Sequence, residues 1–376
     1  MNIVFCTRSD FLSVKGGDTV QLLQTRELLQ NSYGTNVDVV TSPEKLNAGK
    51  YDLCHIFNIQ KIEDTKAYLA KCRTAGVKVA LSPVLWDFTA VVSYTFMVKR
   101  LSAYRLSERR MGFASRLLKL LAGVVGMPTI HTHNYREYLR QTLSAADLLL
   151  PNSVEEADVL ARLSGLDPGE LLAKTRPVVN AVTLTESKPA TAADFAGGNH
   201  LPSGYILQVG RIEPGKNQYS TVKALMDDGH LPILFVGNQR VNPAYFRAVE
   251  ELGRRRGNVY FIDEVPHEDL PLFYRNAALH VLPSLGETTG LVSLEALGCG
   301  CRAVVADGRY CPFESYFKGV ATAVDPLNYL SIRQGIFAEL ATERHMTAIS
   351  SRIRHDFSWD VAARQTHEAY ERLLAG

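Results

Sequence analysis

Short apolar runs alternate with helix-like stretches along this chain, and the alternation happens twice. In the first series Asn2–Cys6, Val37–Val40, Leu53–Phe57, Val77–Leu81 and Leu148–Leu150 read as strands. Helical patterns fall between most of them. Asp18–Asn31 has Leu22, Leu23, Leu28 and Leu29 at near-helical spacing, with Asp18 placed to cap it; Ile62–Ala75 and Val154–Ser164 follow. Thr183–Ser203 is rich in Thr, Ala, Gly and Pro and shows no period, so it reads as a connection. A second series then runs Tyr205–Val209, Ile233–Val236, Val259–Ile262, His280–Leu282 and Ala303–Ala306. Strands that alternate with helices pair in parallel, because the helix supplies the crossover that a parallel neighbour needs. The expectation is two doubly wound α/β domains, 1–182 and 204–357, joined through 183–203. Ligands of such sheets bind beyond the C-terminal ends of the strands.

Composition agrees with this division and removes other classes. A chain of 376 residues is too long for one core of ordinary size, and 46% hydrophobic with 21% charged residues is a globular balance rather than a disordered one. No apolar run reaches the roughly 18–20 residues of a membrane span. The start, MNIVFC, lacks the charged head and long apolar middle of a secretory leader. The six cysteines have no framework spacing, and Cys299–Gly300–Cys301 has no second Cys or His pair to complete a metal site. They read as reduced, buried thiols of a cytoplasmic protein.

Two stretches carry chemistry. Pro283–Gly298 is a strand end, a polar loop and a helix start. Glycines there let backbone N–H groups approach an anion, and the helix dipole favours a phosphate. Its glutamates, Glu287 in the loop and Glu295 inside the helix, lie about two turns apart, and Glu295 has the chemistry to accept from a ribose diol. The plainer alternative is a capped helix with two solvated glutamates. In Gln208–Asn217, Arg211 and Lys216 flank a Pro214–Gly215 turn that brings both cations to one point. Growing negative charge on a diphosphate leaving group can be met there without a metal.

In this order, the motifs G-R-x-x-x-G-K-N and E-x7-E resemble family 4 glycosyltransferases of the GT-B fold. Lys15–Gly16–Gly17, Ala146–Ser153 and Phe357–Ser358–Trp359 resemble further segments of that family. The resemblance implies two Rossmann-like parallel-sheet domains facing across a cleft, with a final helix, 358–376, packed back on the first. It implies a nucleotide-sugar donor, retention of anomeric configuration and no metal or cofactor. Arg211 and Lys216 would hold the diphosphate, Glu287 the sugar and Glu295 the ribose. Amides of Thr288, Thr289, Gly290 and Leu291 would meet phosphate or sugar oxygens, the backbone near Val265 would face the base, and Gly16 and Gly17 would close from the first domain. Three departures stand out. Thr288–Thr289 follows Glu287 where Gly-Phe is usual, no His ends the fourth strand near Ser82–Asp87, and Asn180–Ala181–Val182 replaces Asn-Gly-Val.

His55, His131 and His133 are spare candidates for proton handling, with structural roles favoured because no partner is visible nearby. Between Met97 and Val125, Lys99, Arg100, Arg105, Arg109, Arg110, Arg116 and Lys119 face one acid, Glu108, with apolar residues at helical spacing. Such a stretch suits an anionic membrane surface, and equally a core helix with a solvated basic face. Nucleic acid is disfavoured because no recognition motif is present. The leading expectation is a glycosyltransferase acting on a lipid-linked saccharide in surface-glycan assembly, at the inner face of the cell membrane. A soluble acceptor, and a nucleotide-sugar-binding protein without catalysis, remain open.

Overall fold

Among the described residues every strand pairs in parallel. The computed structural model describes residues 1–11, 16–101, 133–184 and 202–375. In the first unit (1–87, 130–182 and 355–376) the strands are β1 Asn2–Cys6, β2 Asn36–Val40, β3 Leu53–Phe57, β4 Lys78–Ser82 and β5 Leu148–Leu149, in the order β2-β1-β3-β4-β5. In the second (88–129 and 183–354) they are β6 Tyr205–Val209, β7 Ile233–Val236, β8 Val259–Ile262, β9 Ala277–Leu282, β10 Ala303–Ala306 and β11 Thr322–Val324, ordered β11-β10-β9-β6-β7-β8. Both are doubly wound, Rossmann-like arrangements, the fold class expected from the sequence.

The inner strands read as nearly continuous apolar runs because both of their faces are covered. Every residue of β3, β6, β7 and β10 is buried. In the second unit Ile206, Phe235, Leu279, Val281 and Val304 enter one cluster, while the alternating Tyr205, Leu207, Leu234 and Val236 enter another on the opposite face. In the first unit Ile3, Phe5, Leu53, Phe57 and Leu148 pack with Trp359, Ala362, Ala369 and Tyr370 of the last helix, Trp359–Ala375. The Tyr370 hydroxyl lies 2.6 Å from His55 Nδ1, and Ser82 Oγ lies 2.9 Å from its Nε2. Burial lowers the His55 pKa to about 3, so this ring is a neutral part of the core at ordinary pH. His131, and the side chain of His133, lie outside the described residues.

Two local expectations are corrected. The first helix is Gly17–Tyr33 with Gly16 at its cap position, so Asp18 sits in the first turn and is not the cap. Arg8 draws the Asp18 carboxylate away, through Nε at 3.1 Å from Oδ2. The segment after Asp87 also departs from the 1–182 division. Helix Thr89–Leu101 belongs to the second unit, where buried Tyr94 joins the cluster around Ile206 and Val91 packs against Gly215. Among the described residues no helix is long and apolar enough to cross a membrane. All six cysteines are free, five of them buried.

A buried carboxylate ties the segment after β4 to the helix after β5 in the first unit. Helix Val154–Ser164 is capped by Ser153 Oγ, which accepts the Glu156 N–H at 3.0 Å. The fully buried Glu156 carboxylate accepts N–H groups of Asn152 at 2.6 Å and Leu85 at 2.8 Å. Desolvation outweighs those bonds and pushes its pKa up to about 7. The folded value is above that of an unfolded glutamate. The contribution to stability is therefore complete at acid pH, below the ordinary glutamate range, and is lost as pH rises through about 7. Both tryptophans, Trp86 and Trp359, belong to this unit, so their emission follows its unfolding. Between pH 5 and 8 Glu156 should take about 2.5 kcal/mol from the urea-unfolding free energy read this way, while the buried neutral His55 of the same unit acts in the opposite direction. Glu156→Gln removes the glutamate share alone, so wild type should lose stability relative to the variant as pH rises. Parallel curves for the two proteins would show that Glu156 stays ionised.

Candidate functional site

The order of the second sheet creates one crevice. From β6 the chain builds outward to β7 and β8, then returns to lay β9, β10 and β11 on the other side. Loops leaving β6 and β9 diverge at their C-terminal ends, the switch point where open α/β sheets bind ligands. Both sequence motifs fall there, since Gly210–Asn217 follows β6 and Pro283–Gly290 follows β9. The loops are bonded together. Leu285 N–H donates to the Gly215 carbonyl at 2.9 Å, and Glu287 N–H to that of Tyr310 at 2.8 Å. Asn217, in a left-handed conformation with φ 62°, donates through Nδ2 to the carbonyls of Pro283 at 3.1 Å and Pro326 at 2.7 Å.

Arg211 leaves the sheet at a crowded crossing. Gly210 has φ 141° and Gly237, just past β7, has φ 147°. A Cβ on Gly237 would lie 2.3 Å from the Gly210 carbonyl oxygen. Only the absence of a side chain lets these two backbones approach, and the approach fixes where Arg211 starts.

Each motif cation has a carboxylate partner. Lys216 Nζ lies 2.5 Å from Glu287 Oε1, with side chains 21% and 13% exposed. Arg211 meets Glu213 at 3.0 Å, but its side chain is 55% exposed. An exposed pair contributes only about 0–1 kcal/mol, so the guanidinium is readily redirected to a stronger anion. Lys216 and Glu287 make a tighter unit, joining the two loops by charge. Arg309, which the motifs do not contain, is held by Asp307 at 2.6 Å and Asp325 at 2.9 Å and fastens the loop after β10.

Helix Leu291–Gly298 begins beside these groups. Gly290, with φ 85°, occupies its cap position, and its carbonyl accepts the Ser293 N–H at 2.9 Å. The leading amides of a helix have no partners within it, and they point out along the positive end of the dipole. Thr288 is half-buried and Thr289 is buried just before this start. Below them His280 Nε2 lies 3.1 Å from Ser293 Oγ. Burial, aided by the charge of Lys216, lowers the His280 pKa to about 3 and keeps the ring neutral.

Glu295 lies inside the helix, 7% exposed, and both oxygens are engaged. Oε2 accepts from the Tyr274 hydroxyl at 3.1 Å, and Oε1 lies 2.8 Å from His267 Nε2. A carboxylate retains further lone pairs, so a diol can still bond to it. His267 was not legible as a site residue: it sits 28 residues from Glu295, in the loop after β8, with no periodic signal. Val265, two residues earlier, is partly buried against the cluster containing Phe273 and Ala296.

Gly16 and Gly17 are exposed residues of the first unit, at the start of its first helix. Nearby, buried Arg8 is held by Asp10 at 2.9 Å and Asp18 at 3.1 Å, and Asn58 donates to Asp18 at 2.9 Å. These residues follow β1 and β3, the switch point of that sheet. Lys99 and Arg100 lie in helix Thr89–Leu101, but their side chains, and Arg105, Arg109, Arg110, Arg116 and Lys119, lie outside the described residues.

The arrangement offers two redirectable cations, a helix start and a buried carboxylate at one sheet edge, a set suited to a diphosphate joined to a diol. The chain is 27% identical over 253 residues to a D-inositol 3-phosphate glycosyltransferase of Streptomyces bingchenggensis, covering 63% of this chain and 55% of that protein. It is 26% identical over 247 residues to the O-antigen chain mannosyltransferase B of Escherichia coli, covering 62% and 63%. It thus spans less than two thirds of the length of these curated relatives. Sucrose-phosphate synthase from Thermosynechococcus elongatus shares the fold, with a TM-score of 0.72 at 17% identity over 100% of this chain and 99% of that one. Residues 192–326, which contain both motif loops together with His267 and Glu295, match the family profile of glycosyl transferases group 1.

Proposed function

We propose that the chain is a retaining, metal-independent glycosyltransferase, of the family 4 type, that uses a nucleotide-sugar donor. One observation carries this reading: Arg211, Lys216 and the start of helix Leu291–Gly298 share the β6/β9 edge of the second sheet. The diphosphate leaves as the bond from its oxygen to the anomeric carbon breaks, and negative charge grows on that oxygen. Arg211 and Lys216 then exchange their carboxylate partners for the phosphates, which places the largest stabilisation in the transition state. Glu287, released by Lys216, contacts the donor sugar. The acceptor hydroxyl attacks from the face the phosphate leaves, and a phosphate oxygen takes its proton, so configuration is retained without a protein nucleophile.

The acceptor we propose is a lipid-linked saccharide in surface-glycan assembly, met at the cytoplasmic face of a membrane. The seven cations between Lys99 and Lys119 and the likeness to an O-antigen mannosyltransferase support this. The likeness to D-inositol 3-phosphate glycosyltransferases supports a soluble acceptor as the second reading. Pelleting with anionic vesicles separates them: salt-sensitive binding fits a membrane site, and no binding favours the soluble acceptor.

The donor reading is tested by incubating the protein with uridine, guanosine and adenosine diphosphate sugars in EDTA. Slow release of one nucleoside diphosphate is expected, since an intact site leaks some donor to water, and that diphosphate should raise the melting temperature. Loss of release on chelation would remove metal independence. Stabilisation without release by any donor would mark a binding protein without catalysis.

A further inference from the structure

A buried carboxylate in a site for an anion repels its ligand unless the charge is met. The Glu295 side chain is 9% exposed. Of its two partners, Tyr274 cannot meet the charge: burial, reinforced by Glu295, holds its hydroxyl far above the ordinary tyrosine value, so it stays a neutral donor. His267 can. Its ring is 52% exposed, able to exchange protons with solvent, and its Nε2 lies 2.8 Å from the carboxylate.

We propose that His267 is a positioning residue that aims and neutralises Glu295, so that binding of a nucleoside diphosphate takes up a proton at this histidine. The inference rests on the reading that Glu295 receives the ribose of the donor. With His267 neutral, the pair carries one negative charge beside a ligand that carries two or three. With His267 protonated the pair is neutral and the repulsion disappears. Ligand binding and protonation therefore favour each other to the same extent.

The charged and titratable groups around His267 come from several elements. Asp263 and Glu264 precede it, Glu268 and Asp269 share its turn, Tyr274 and Arg275 lie on the next helix, and Glu295 lies on helix Leu291–Gly298. Asp263 is paired with Arg240 at 2.8 Å, and Glu264 accepts from Asn238 at 3.2 Å. The hydrogen bond to Glu295 raises the His267 pKa above the ordinary imidazole value, against the opposing effect of burial. That places the proton exchange nearer neutral pH.

Titration calorimetry with uridine, guanosine and adenosine diphosphates tests this on the full chain, comparing wild type, His267→Gln and His267→Ala from pH 6.0 to 8.5. Glutamine keeps a donor near the position of Nε2 and cannot be protonated; alanine removes the contact. For the diphosphate that binds, wild type is expected to bind five- to tenfold tighter at pH 6.0 than at 8.5, beyond any change seen in His267→Gln. The nucleotide's own ionisation is common to both proteins and cancels. Buffers of different ionisation heat should show proton uptake in wild type alone. His267→Gln should match wild type at pH 8.5, with His267→Ala about tenfold weaker. Equal pH dependence in wild type and His267→Gln, or no recovery by glutamine relative to alanine, overturns the role of His267 and leaves the donor reading standing. If wild type binds none of the three diphosphates, the donor reading falls and this inference falls with it.

Discussion

Lys216→Ala should lower turnover by roughly 10²–10³, with a much smaller change in donor affinity, and Arg211→Ala should act in the same direction. The asymmetry between turnover and binding follows from when the cations are needed. In the free protein Lys216 is committed to Glu287 at 2.5 Å and Arg211 to Glu213 at 3.0 Å. A donor ground state gains little by competing for them. The leaving diphosphate, which gathers charge as its bond breaks, gains most. The lysine variant carries a second cost, because it strands Glu287, 13% exposed, beside the sugar without its counter-charge. Glu287→Gln in the same background should recover part of the loss. Steady-state kinetics with the active donor decide the matter. A rise in KM with kcat unchanged would show that the cations bind ground state and transition state alike.

Gly237→Ala should cost the second unit about 2–5 kcal/mol, from backbone strain and overpacking together. The backbone at φ 147° is one that side chains rarely adopt, and the new Cβ would meet the Gly210 carbonyl oxygen at 2.3 Å. That obstacle is backbone at the end of a fully buried strand, so it cannot swing aside. Gly300→Ala is the matched control: φ is 82°, but a Cβ there meets nothing within 4 Å, so only the strain of roughly 1–2 kcal/mol applies. Thermal unfolding by circular dichroism should separate the two variants clearly. Any Gly237→Ala protein that stays folded should also misplace Arg211, because Gly210 precedes it directly. Equal melting temperatures for the two variants would mean that the β6 and β7 ends are not held as close as described.

Strands were legible wherever the sequence carries an unbroken apolar run. Tyr205–Val209, Ile233–Val236, Val259–Ile262 and Ala303–Ala306 coincide with β6, β7, β8 and β10. The sequence misses β11, three residues long with only Val324 buried, because a short edge strand carries no run to read. It starts β9 late, at His280 rather than Ala277, because two small alanines give little signal. The assignment of Thr89–Leu101 to the second unit was out of reach, since it depends on where Val91 and Tyr94 find a partner and not on the helix's own pattern.

At the site, glycine and charge spacing located the β6 and β9 loops, whose flanks are local in sequence. Which carboxylate each cation would choose was not legible, because Lys216 reaches 71 residues ahead to Glu287 while Arg211 turns to Glu213 two residues away. The contact of His267 with Glu295 was hidden for the same reason. A lone histidine after β8 acquires meaning only when the sheet order places that loop over the helix after β9.

A crystal structure with the tightest-binding nucleoside diphosphate is the most direct test. Phosphate oxygens are expected about 3 Å from Lys216 Nζ, the Arg211 guanidinium and an amide at the start of helix Leu291–Gly298, with the ribose hydroxyls on Glu295. A diphosphate bound away from the β6/β9 edge, with Lys216 still closed on Glu287, would contradict this arrangement.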